Sequence, residues 1–281
     1  MKLRIGKIPY ANLFPIFYSI ERCCDCSSYQ FIEGFPSGLN KMIRDGLLDI
    51  SPSSSIEFLR HPSLYRIIDG HSISSRGPIR SILLISHKPF EQLNGNIINV
   101  SYQSETSIAL LKIILIKFYR IRCELVVSKN PEDLDNGAFL LIGDDALIYA
   151  IKNRAKTLKS QNINIKENQE IKTETYIYDL GEIWHKKTGL PFVYALWIVR
   201  NEIFNSQRSY LINRFIDDLN NARDYALKNL SYIVKYSSLK EYMSEEEILS
   251  YWGHIDYNLN EEHKEGLKLF KAYLKEINYL I

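Results

Sequence analysis

The sequence predicts a two-lobed α/β protein in which the chain crosses from one lobe to the other and then returns. Strand-like and helix-like segments alternate in two sets, at residues 1–86 and 87–192, as is typical of βαβ units with right-handed crossovers. Everything after Asn201 reads as amphipathic helix without strands. We therefore assign residues 1–86 and 193–281 to lobe 1 and residues 87–192 to lobe 2, and we expect the helical tail to pack on lobe 1.

The first set of elements consists of short apolar runs separated by turn residues. Asn12 is placed to cap the first helix, which has Pro15 in its first turn. Ser37 is placed to cap the second helix, which stops at Gly46. The strands are predicted at Lys2–Ile8, Tyr29–Glu33 and Leu47–Ser51, and the last of them opens into the run Ser53, Ser54 and Ser55.

The second set begins with Ser81–Ser86, a continuous apolar run that is typical of a buried and largely parallel sheet. Ser104 is placed to cap a long helix that runs through Phe118, and Asp179 to cap a short helix that ends at Gly189. The Gly143-Asp144 turn leads into a helix from Asp145. The other strands are predicted at Asn96–Tyr102, Ala138–Ile142, Tyr176–Tyr178 and Phe192–Val199.

Composition excludes several classes of function. The 281 residues carry 35 basic and 33 acidic side chains, for a net charge of +2. Nucleic-acid binding usually needs a basic face or stripe, so no nucleic-acid partner is expected. No stretch approaches the ~20 apolar residues of a membrane span, and the start of the chain lacks the apolar core of a secretory signal. We expect a cytoplasmic protein that does not contact a membrane.

Small polar residues follow several predicted strands, at the carboxyl ends where open α/β sheets bind their ligands. Helix starts offer free backbone N–H groups and the positive end of the helix dipole, so they suit carboxylates. Each of these residues also reads as a simple helix cap, so the pattern predicts a carboxylate-binding cleft without identifying the reaction. The residues are Tyr10, Asn12, Ser53, Ser54, Ser55, Ser104, Thr106, Ser107, Gly143 and Asp144.

Established catalytic and metal-binding motifs are absent from the sequence. It contains no GxSxG, P-loop, HExxH or GxGxxG pattern and no histidine pair at metal-ligand spacing. Cys23, Cys24 and Cys26 cluster, but adjacent cysteines are poor tetrahedral ligands and no second pair lies near, so we expect reduced thiols and no metal. Arg76 and Arg80 flank a Gly-Pro turn, where a solvated role is favoured over contact with a substrate carboxylate.

Short motifs, in order along nearly the whole chain, resemble those of chorismate dehydratase, a family of the futalosine route to menaquinone. Each motif is weak alone, and their joint order and spacing make the resemblance specific. It implies a fold like that of type II periplasmic binding proteins, with a ligand cleft between the lobes. The motifs lie at residues 6–15 (GKIPYANLFP), 36–40 (PSGLN), 48–50 (LDI), 57–58 (EF), 77–81 (GPIRS), 104–107 (SETS), 142–147 (IGDDAL), 178–180 (YDL) and 188–192 (TGLPF), with Gly46 and Trp184.

The resemblance implies a lyase that dehydrates chorismate to 3-[(1-carboxyvinyl)oxy]benzoate, with chorismate as its small-molecule partner and no cofactor. Asn12 and Ser81 match polar positions that the family uses at the reacting ring, so both are assigned as catalytic. The segment from Ser104 to Ser107 would hold a substrate carboxylate. The substrate-binding assignments are Tyr10, Ser54, Ser55, Gly77, Ser104, Thr106, Ser107, Gly143 and Asp144.

The general base stays open. Among the motif residues, Asp144 and Tyr10 are the two of a suitable chemical type, and Asp144 also suits a helix cap. The hypothesis we favour is substrate-assisted catalysis, in which the enolpyruvyl carboxylate removes the ring proton and Asn12 orients it.

Two other functions remain open. The sister enzyme 1,4-dihydroxy-6-naphthoate synthase shares the fold, but its N-terminal Ser-Pro and Asn-Asp-Thr patterns are absent here. A non-catalytic binding or sensor protein for small carboxylates is disfavoured, because the sequence has neither an export signal nor a fused helix-turn-helix domain.

Overall fold

The computed structural model describes residues 2–133, 137–161 and 175–280. Within these residues ten strands form two five-stranded sheets. The strands are β1 (Leu3–Lys7), β2 (Tyr29–Glu33), β3 (Ile50–Ser54), β4 (Tyr65–Ser75), β5 (Ile82–Ser86), β6 (Ile97–Ser101), β7 (Glu124–Ser128), β8 (Ala138–Ile142), β9 (Tyr176–Asp179) and β10 (Phe192–Arg200). Their order is β2-β1-β3-β10-β4 in the first sheet and β7-β6-β8-β5-β9 in the second.

Helices connect the strands and form the tail. The helix α4 (Glu105–Ile113) continues into a wider π-type turn, Ile114–Tyr119, which ends on the left-handed residue Arg120. The helices are α1 (Phe14–Cys23), α2 (Pro36–Arg44), α3 (Ser55–Arg60), α4 (Glu105–Ile113), α5 (Gly143–Gln161), α6 (Leu180–Thr188), α7 (Asn201–Phe204), α8 (Ser209–Lys228), α9 (Leu230–Ile233), α10 (Glu245–Trp252) and α11 (Glu261–Glu276). None of them, in the residues described, is long and apolar enough to span a bilayer.

Both sheets are mixed. β1 is parallel to β2 and β3, and β6 is parallel to β7 and β8, as the βαβ reading predicts. β10 returns antiparallel between β3 and β4, and β5 runs antiparallel to both β8 and β9. The expectation of a parallel environment for β5 was therefore wrong. Its continuous apolar run reflects burial of every residue in the strand, which does not fix strand direction.

The α/β class and the two-lobed fold are confirmed. The structure also defines more closely than the sequence where the chain crosses between the two lobes. The first crossing leaves β4 at Ser75 and enters β5 at Ile82, and the return enters β10 at Phe192. β5 pairs only with strands of the second sheet, although the sequence placed it in lobe 1. We propose lobe boundaries that follow the sheets, with residues 2–75 and 192–280 in lobe 1 and the residues between the crossings in lobe 2.

Several local predictions need correction. Leu13, not Asn12, stands at the N-cap of α1, and Phe35, not Ser37, precedes α2, whose first turn contains Pro36. Neither helix has a side-chain cap. The third strand lies three residues later than predicted, so Ser53 and Ser54 are strand residues. The caps at Ser104 and Asp179, the left-handed end at Gly189 and the strand Ala138–Ile142 are confirmed.

The helical tail packs mainly on lobe 1. α8 lies against α1, and an ion-pair network joins its beginning to the first sheet. Asp49 is fully buried between Arg4 and Arg208, with Nη2 to carboxylate-oxygen distances of 2.6 Å for both arginines. Burial opposes ionisation of Asp49, but the hydrogen bonds from the two arginines hold its pKa below the usual range. α11 lies on β10 and also touches α4 of lobe 2.

Candidate active site

A cleft that is partly open to solvent lies between the two sheets and is lined from both lobes. Ser55, Gly77 and Asp144 do not line it, although all three were assigned to the substrate. Apolar side chains such as Ile8, Ile73 and Ile82 form much of its wall. The assigned residues that do line it are Tyr10, Asn12, Ser54, Ser81, Ser104, Thr106, Ser107 and Gly143.

The loop that carries Asn12 is held by the helical tail. Trp252 Nε1 donates to the carbonyl of Ala11 at 2.9 Å, and the Tyr257 hydroxyl donates to the carbonyl of Asn12 at 2.7 Å. The Asn12 side chain faces the cleft, and its Oδ1 is buried without a hydrogen-bond partner among the residues described. A buried polar atom without a partner costs free energy, so Oδ1 does not stabilise the fold and is available to accept a hydrogen bond from a ligand.

Tyr10 links the same loop to lobe 2. Its hydroxyl donates to Gln103 Oε1, and its ring lies on Gly143, where an added Cβ would come within 3.1 Å of the ring. Gly143 has a φ of +59°, which also favours glycine. Burial raises the pKa of Tyr10, and the neighbouring Asp145 and Asp144 raise it further. A phenol in this state is a hydrogen-bond donor and a poor base.

The first turn of α4 presents hydroxyls and backbone N–H groups to the cleft. Ser104 Oγ accepts from Ser107 N at 3.3 Å and lies 2.8 Å from Ser107 Oγ. Thr106 Oγ1 accepts from Ile56 N at 3.2 Å, which joins the two lobes at the cleft. Thr106 and Ser107 are almost fully buried. The turn therefore has the free donors and the favourable helix dipole of an anion site.

Serines on the lobe 1 side have different roles. Ser54 lines the cleft and is paired with Asn40, whereas Ser55 donates its hydroxyl proton to the carbonyl of Val193 at 2.6 Å. Because the proton of Ser55 is used inside the fold, this side chain supports the junction of α3 and β10. Its assignment to the substrate is not supported by this geometry.

Ser81 lies where the chain enters lobe 2. Its carbonyl accepts from Gly143 N at 2.8 Å, so the start of β5 and the end of β8 are joined beside the cleft. Behind it, burial raises the pKa of Tyr251, while the interaction with Ser81 opposes that rise. Ser81 thus lies between the cleft and a buried tyrosine of the tail, whose hydroxyl has no hydrogen-bond partner among the residues described.

Asp179 fixes the crossing that carries Ser81. Its carboxylate accepts from Arg80 N at 2.6 Å and from Ile79 N at 3.2 Å, and it also caps α6. Gly77 contributes to the structure of this crossing through its backbone, because its carbonyl accepts a hydrogen bond from Ser75 Oγ at 2.8 Å. Burial raises the pKa of Asp179, although four backbone N–H donors oppose the rise.

Asp144 acts on the loop that carries Asn12. Its Oδ1 accepts from Ala11 N at 3.0 Å, across the boundary between the lobes. Burial raises the pKa of Asp144 to about 6, and the hydrogen bond from Ala11 only partly offsets this. The carboxyl group therefore changes charge near neutral pH while it holds the two lobes together.

Asp144→Asn is expected to stabilise the fold at neutral pH, since an amide oxygen still accepts from Ala11 without a buried charge. The native pKa lies above the unfolded value near 4, so ionisation destabilises the native state as the pH rises from about 4 to about 6. Relative to wild type, the variant should gain on the order of 2 kcal/mol between pH 4.5 and pH 7.5. Urea unfolding at both pH values measures this gain, and an unchanged difference would contradict it.

Among the residues that the structure describes, no lysine or arginine lines the cleft. Arg76 pairs with Asp256 and Glu262, and Arg80 Nη1 donates to Ser250 Oγ, so both are engaged at the surface as expected. Within the described part of the chain, no three His, Cys, Asp or Glu side chains gather in a way that would hold a metal ion. Cys23, Cys24 and Cys26 are free thiols on and just after α1. The cleft thus offers neutral donors to an anion.

The sequence did not predict the residues that support the lining residues of the cleft through contacts with distant parts of the chain. Asn40 lies in a matched motif, but its contact with Ser54 depends on the fold. Trp252 and Tyr257 reach the loop from more than 240 residues away, and Tyr194 enters the cleft from the return strand. No local pattern marks these three residues, because their role follows only from the packing of the tail and the return strand.

Sequence comparisons identify a family and curated relatives of this chain. A family model described as "Menaquinone biosynthesis" matches residues 3–276. Chorismate dehydratase of Thermus thermophilus is 23% identical over 274 residues, which cover 96% of this chain and 94% of that protein. Chorismate dehydratase of Campylobacter jejuni is 29% identical over 194 residues, with coverages of 68% and 64%.

Solved structures share the fold at low identity. Protein AF1704 of Archaeoglobus fulgidus has a TM-score of 0.76 at 16% identity, covering 99% of this chain and 98% of that one. The periplasmic aliphatic sulphonate binding protein SsuA of Escherichia coli has a TM-score of 0.61 at 13% identity, with coverages of 99% and 88%. The second similarity confirms the expected likeness to periplasmic binding proteins.

Proposed function

The chain belongs to the menaquinone biosynthesis family, and on that premise we propose that it removes water from chorismate to form 3-[(1-carboxyvinyl)oxy]benzoate in the futalosine route. The curated relatives named chorismate dehydratase support a lyase that acts on this substrate. The observation on the chain itself that carries the proposal is the cleft, where Asn12 and Ser81 line a largely apolar wall together with the hydroxyl residues of the first turn of α4.

The reaction requires loss of the proton at C3 and the hydroxyl at C4 of the ring. The C3 proton is acidic because the resulting carbanion is delocalised through the ring double bond into the ring carboxylate. Expulsion of the C4 hydroxyl then makes the ring aromatic, and the proton and the hydroxide leave together as water. The enzyme must therefore stabilise negative charge on the ring carboxylate and orient the group that removes the proton.

The first turn of α4 suits one substrate carboxylate. Ser104 and Ser107 supply hydroxyls there, and the free N–H groups of the turn add the positive end of the helix dipole. In our proposal this turn holds the ring carboxylate, because donors fixed at that point would stabilise the charge that develops during proton loss. Contacts between the lobes, such as the one from Ile56 N to Thr106, would exclude water from the reacting ring.

The base is the substrate itself in this proposal. Tyr10 is a donor to Gln103 with a raised pKa, and Asp144 lies off the cleft with one oxygen bonded to Ala11 N. The enolpyruvyl carboxylate removes the C3 proton and passes it to the departing C4 hydroxyl. Asn12 Nδ2 donates to that carboxylate and orients it, while Oδ1, which has no partner among the residues described, accepts from the substrate. Ser81 donates to oxygen atoms at the reacting ring.

A sister 1,4-dihydroxy-6-naphthoate synthase and a binding or sensor protein are the alternatives. Purified protein mixed with chorismate alone separates them. We expect absorbance of an aromatic product to appear without added cofactor. Binding of chorismate by calorimetry without turnover would favour the binding or sensor protein, and neither binding nor turnover would favour the sister enzyme. The cytoplasmic location stays a prediction.

A further inference from the structure

Asn40 is an asparagine of α2 that makes two hydrogen bonds to a single residue at the cleft. It is fully buried, its Nδ2 lies 2.6 Å from Ser54 Oγ, and its Oδ1 accepts from Ser54 N at 3.2 Å. A backbone N–H can only donate, so the atom facing it must be the amide oxygen. The amide NH₂ group therefore faces the Ser54 hydroxyl, and the carboxamide orientation is fixed by the backbone.

This orientation decides the direction of the Ser54 hydroxyl. A serine hydroxyl has one proton to donate and two lone pairs that accept. Since Asn40 donates to Ser54 Oγ, the proton of Ser54 must point elsewhere, and no acceptor for it is found in the described residues. Ser54 lines the cleft and is 5% exposed, so the cleft is where that proton can find an acceptor.

Thr106 shows the same arrangement on the opposite lobe. Its Oγ1 accepts from Ile56 N, so its hydroxyl proton is also left for another acceptor. Ile56 is two residues beyond Ser54, and both hydroxyls line the cleft. One hydroxyl from each lobe is thus kept as a donor by the protein itself. This suits an anionic ligand group in a cleft that no described lysine or arginine lines.

We propose that Asn40 is a positioning residue that keeps the Ser54 hydroxyl as a hydrogen-bond donor to a substrate carboxylate. The inference rests on the proposed function, because it takes the ligand to be the dicarboxylate chorismate. Asn40 does not line the cleft, so its effect passes through Ser54. The proposal predicts that Asn40 and Ser54 contribute to substrate binding as one unit.

A double-mutant cycle on the full chain tests this coupling. The variants are Asn40→Leu, which keeps the approximate shape of the side chain without its hydrogen-bonding atoms, Ser54→Ala and the double variant. We expect each single change to raise KM for chorismate about 10-fold with little change in kcat, as for loss of a hydrogen bond to a charged group. The double variant should bind no more weakly than the weaker single variant.

Two controls separate positioning from a purely structural role. Asn220→Leu removes a lobe 1 amide that bonds His71, neither of which lines the cleft, and it should lower thermal stability without raising KM. Asn40→Ala replaces Asn40→Leu if the leucine variant does not fold, with the same expected pattern. Independent, additive increases in KM in the double variant, or a normal KM in the Asn40 variants, would overturn the inference while leaving chorismate turnover by wild type intact. Absence of turnover by wild type would overturn the proposed function and this inference with it.

Discussion

Asn12→Ala is expected to lower kcat for chorismate by about 100- to 1,000-fold, the size of effect seen when one fixed donor at a reacting centre is removed. The Asn12 Oδ1 atom contributes no hydrogen bond to the fold, because it is buried without a partner among the residues described. The variant should therefore be at least as stable as wild type in thermal unfolding. KM should change much less than kcat, since the carboxylate site at α4 is untouched.

The comparison variant is Asp144→Asn, because Asp144 is the carboxyl group of the matched motifs that is of a suitable type for a protein base. Its oxygen bonds Ala11 N, next to Asn12, and it does not line the cleft. If the substrate supplies the base, this variant should keep turnover within about 10-fold of wild type, as general-base catalysis typically contributes more than that. Loss of several orders of magnitude with chorismate still bound would contradict substrate-assisted catalysis.

Gly181→Ala is expected to destabilise the protein by about 3 kcal/mol, the upper range for an overpacked site. A Cβ at Gly181 would lie 2.3 Å from the Tyr194 hydroxyl and 2.6 Å from the carbonyl of Gly77. The second atom is backbone in the crossing between the lobes, so relief requires movement of the loop that leads to Ser81. Turnover should fall as well, because Tyr194 and Ser81 both line the cleft.

Gly38→Ala is the matched control for that substitution. Gly38 lies within α2, and an added Cβ would meet no atom within 4 Å. Replacement of a helical glycine without a clash should stabilise by roughly 0.5–1 kcal/mol. Urea unfolding of the two variants measures both effects. Equal stability of Gly181→Ala and wild type would contradict the packing at the crossing.

The sequence predicts those elements whose stability comes from local interactions. The strand Ala138–Ile142 is a pure apolar run between polar residues, and Ser104 and Asp179 satisfy N–H groups two or three residues ahead of them. β3 was misplaced because Pro52 and its serines look like loop residues. The Ser54 hydroxyl finds its partner, Asn40, only in the folded chain.

The strand β4 and the hydrogen-bond partners of the site serines could not be predicted in the same way. β4 (Tyr65–Ser75) mixes polar residues with a left-handed Gly70 and pairs irregularly with β10, so it lacks a clean alternating pattern. Ser55 has the same residue type and neighbourhood as Ser54, and only the position of Val193 shows that its hydroxyl is used inside the fold. The site therefore depends on contacts between residues that are distant in sequence.

Identification of the product formed from chorismate tests the central claim most directly. Protein and chorismate are incubated without other additives, and the product is analysed by mass spectrometry and proton NMR. We predict one product, lighter than chorismate by one water, with aromatic ring protons and the two vinyl protons of an intact enolpyruvyl ether. An aromatic product that has lost the enolpyruvyl group, or chorismate recovered unchanged, would contradict the account.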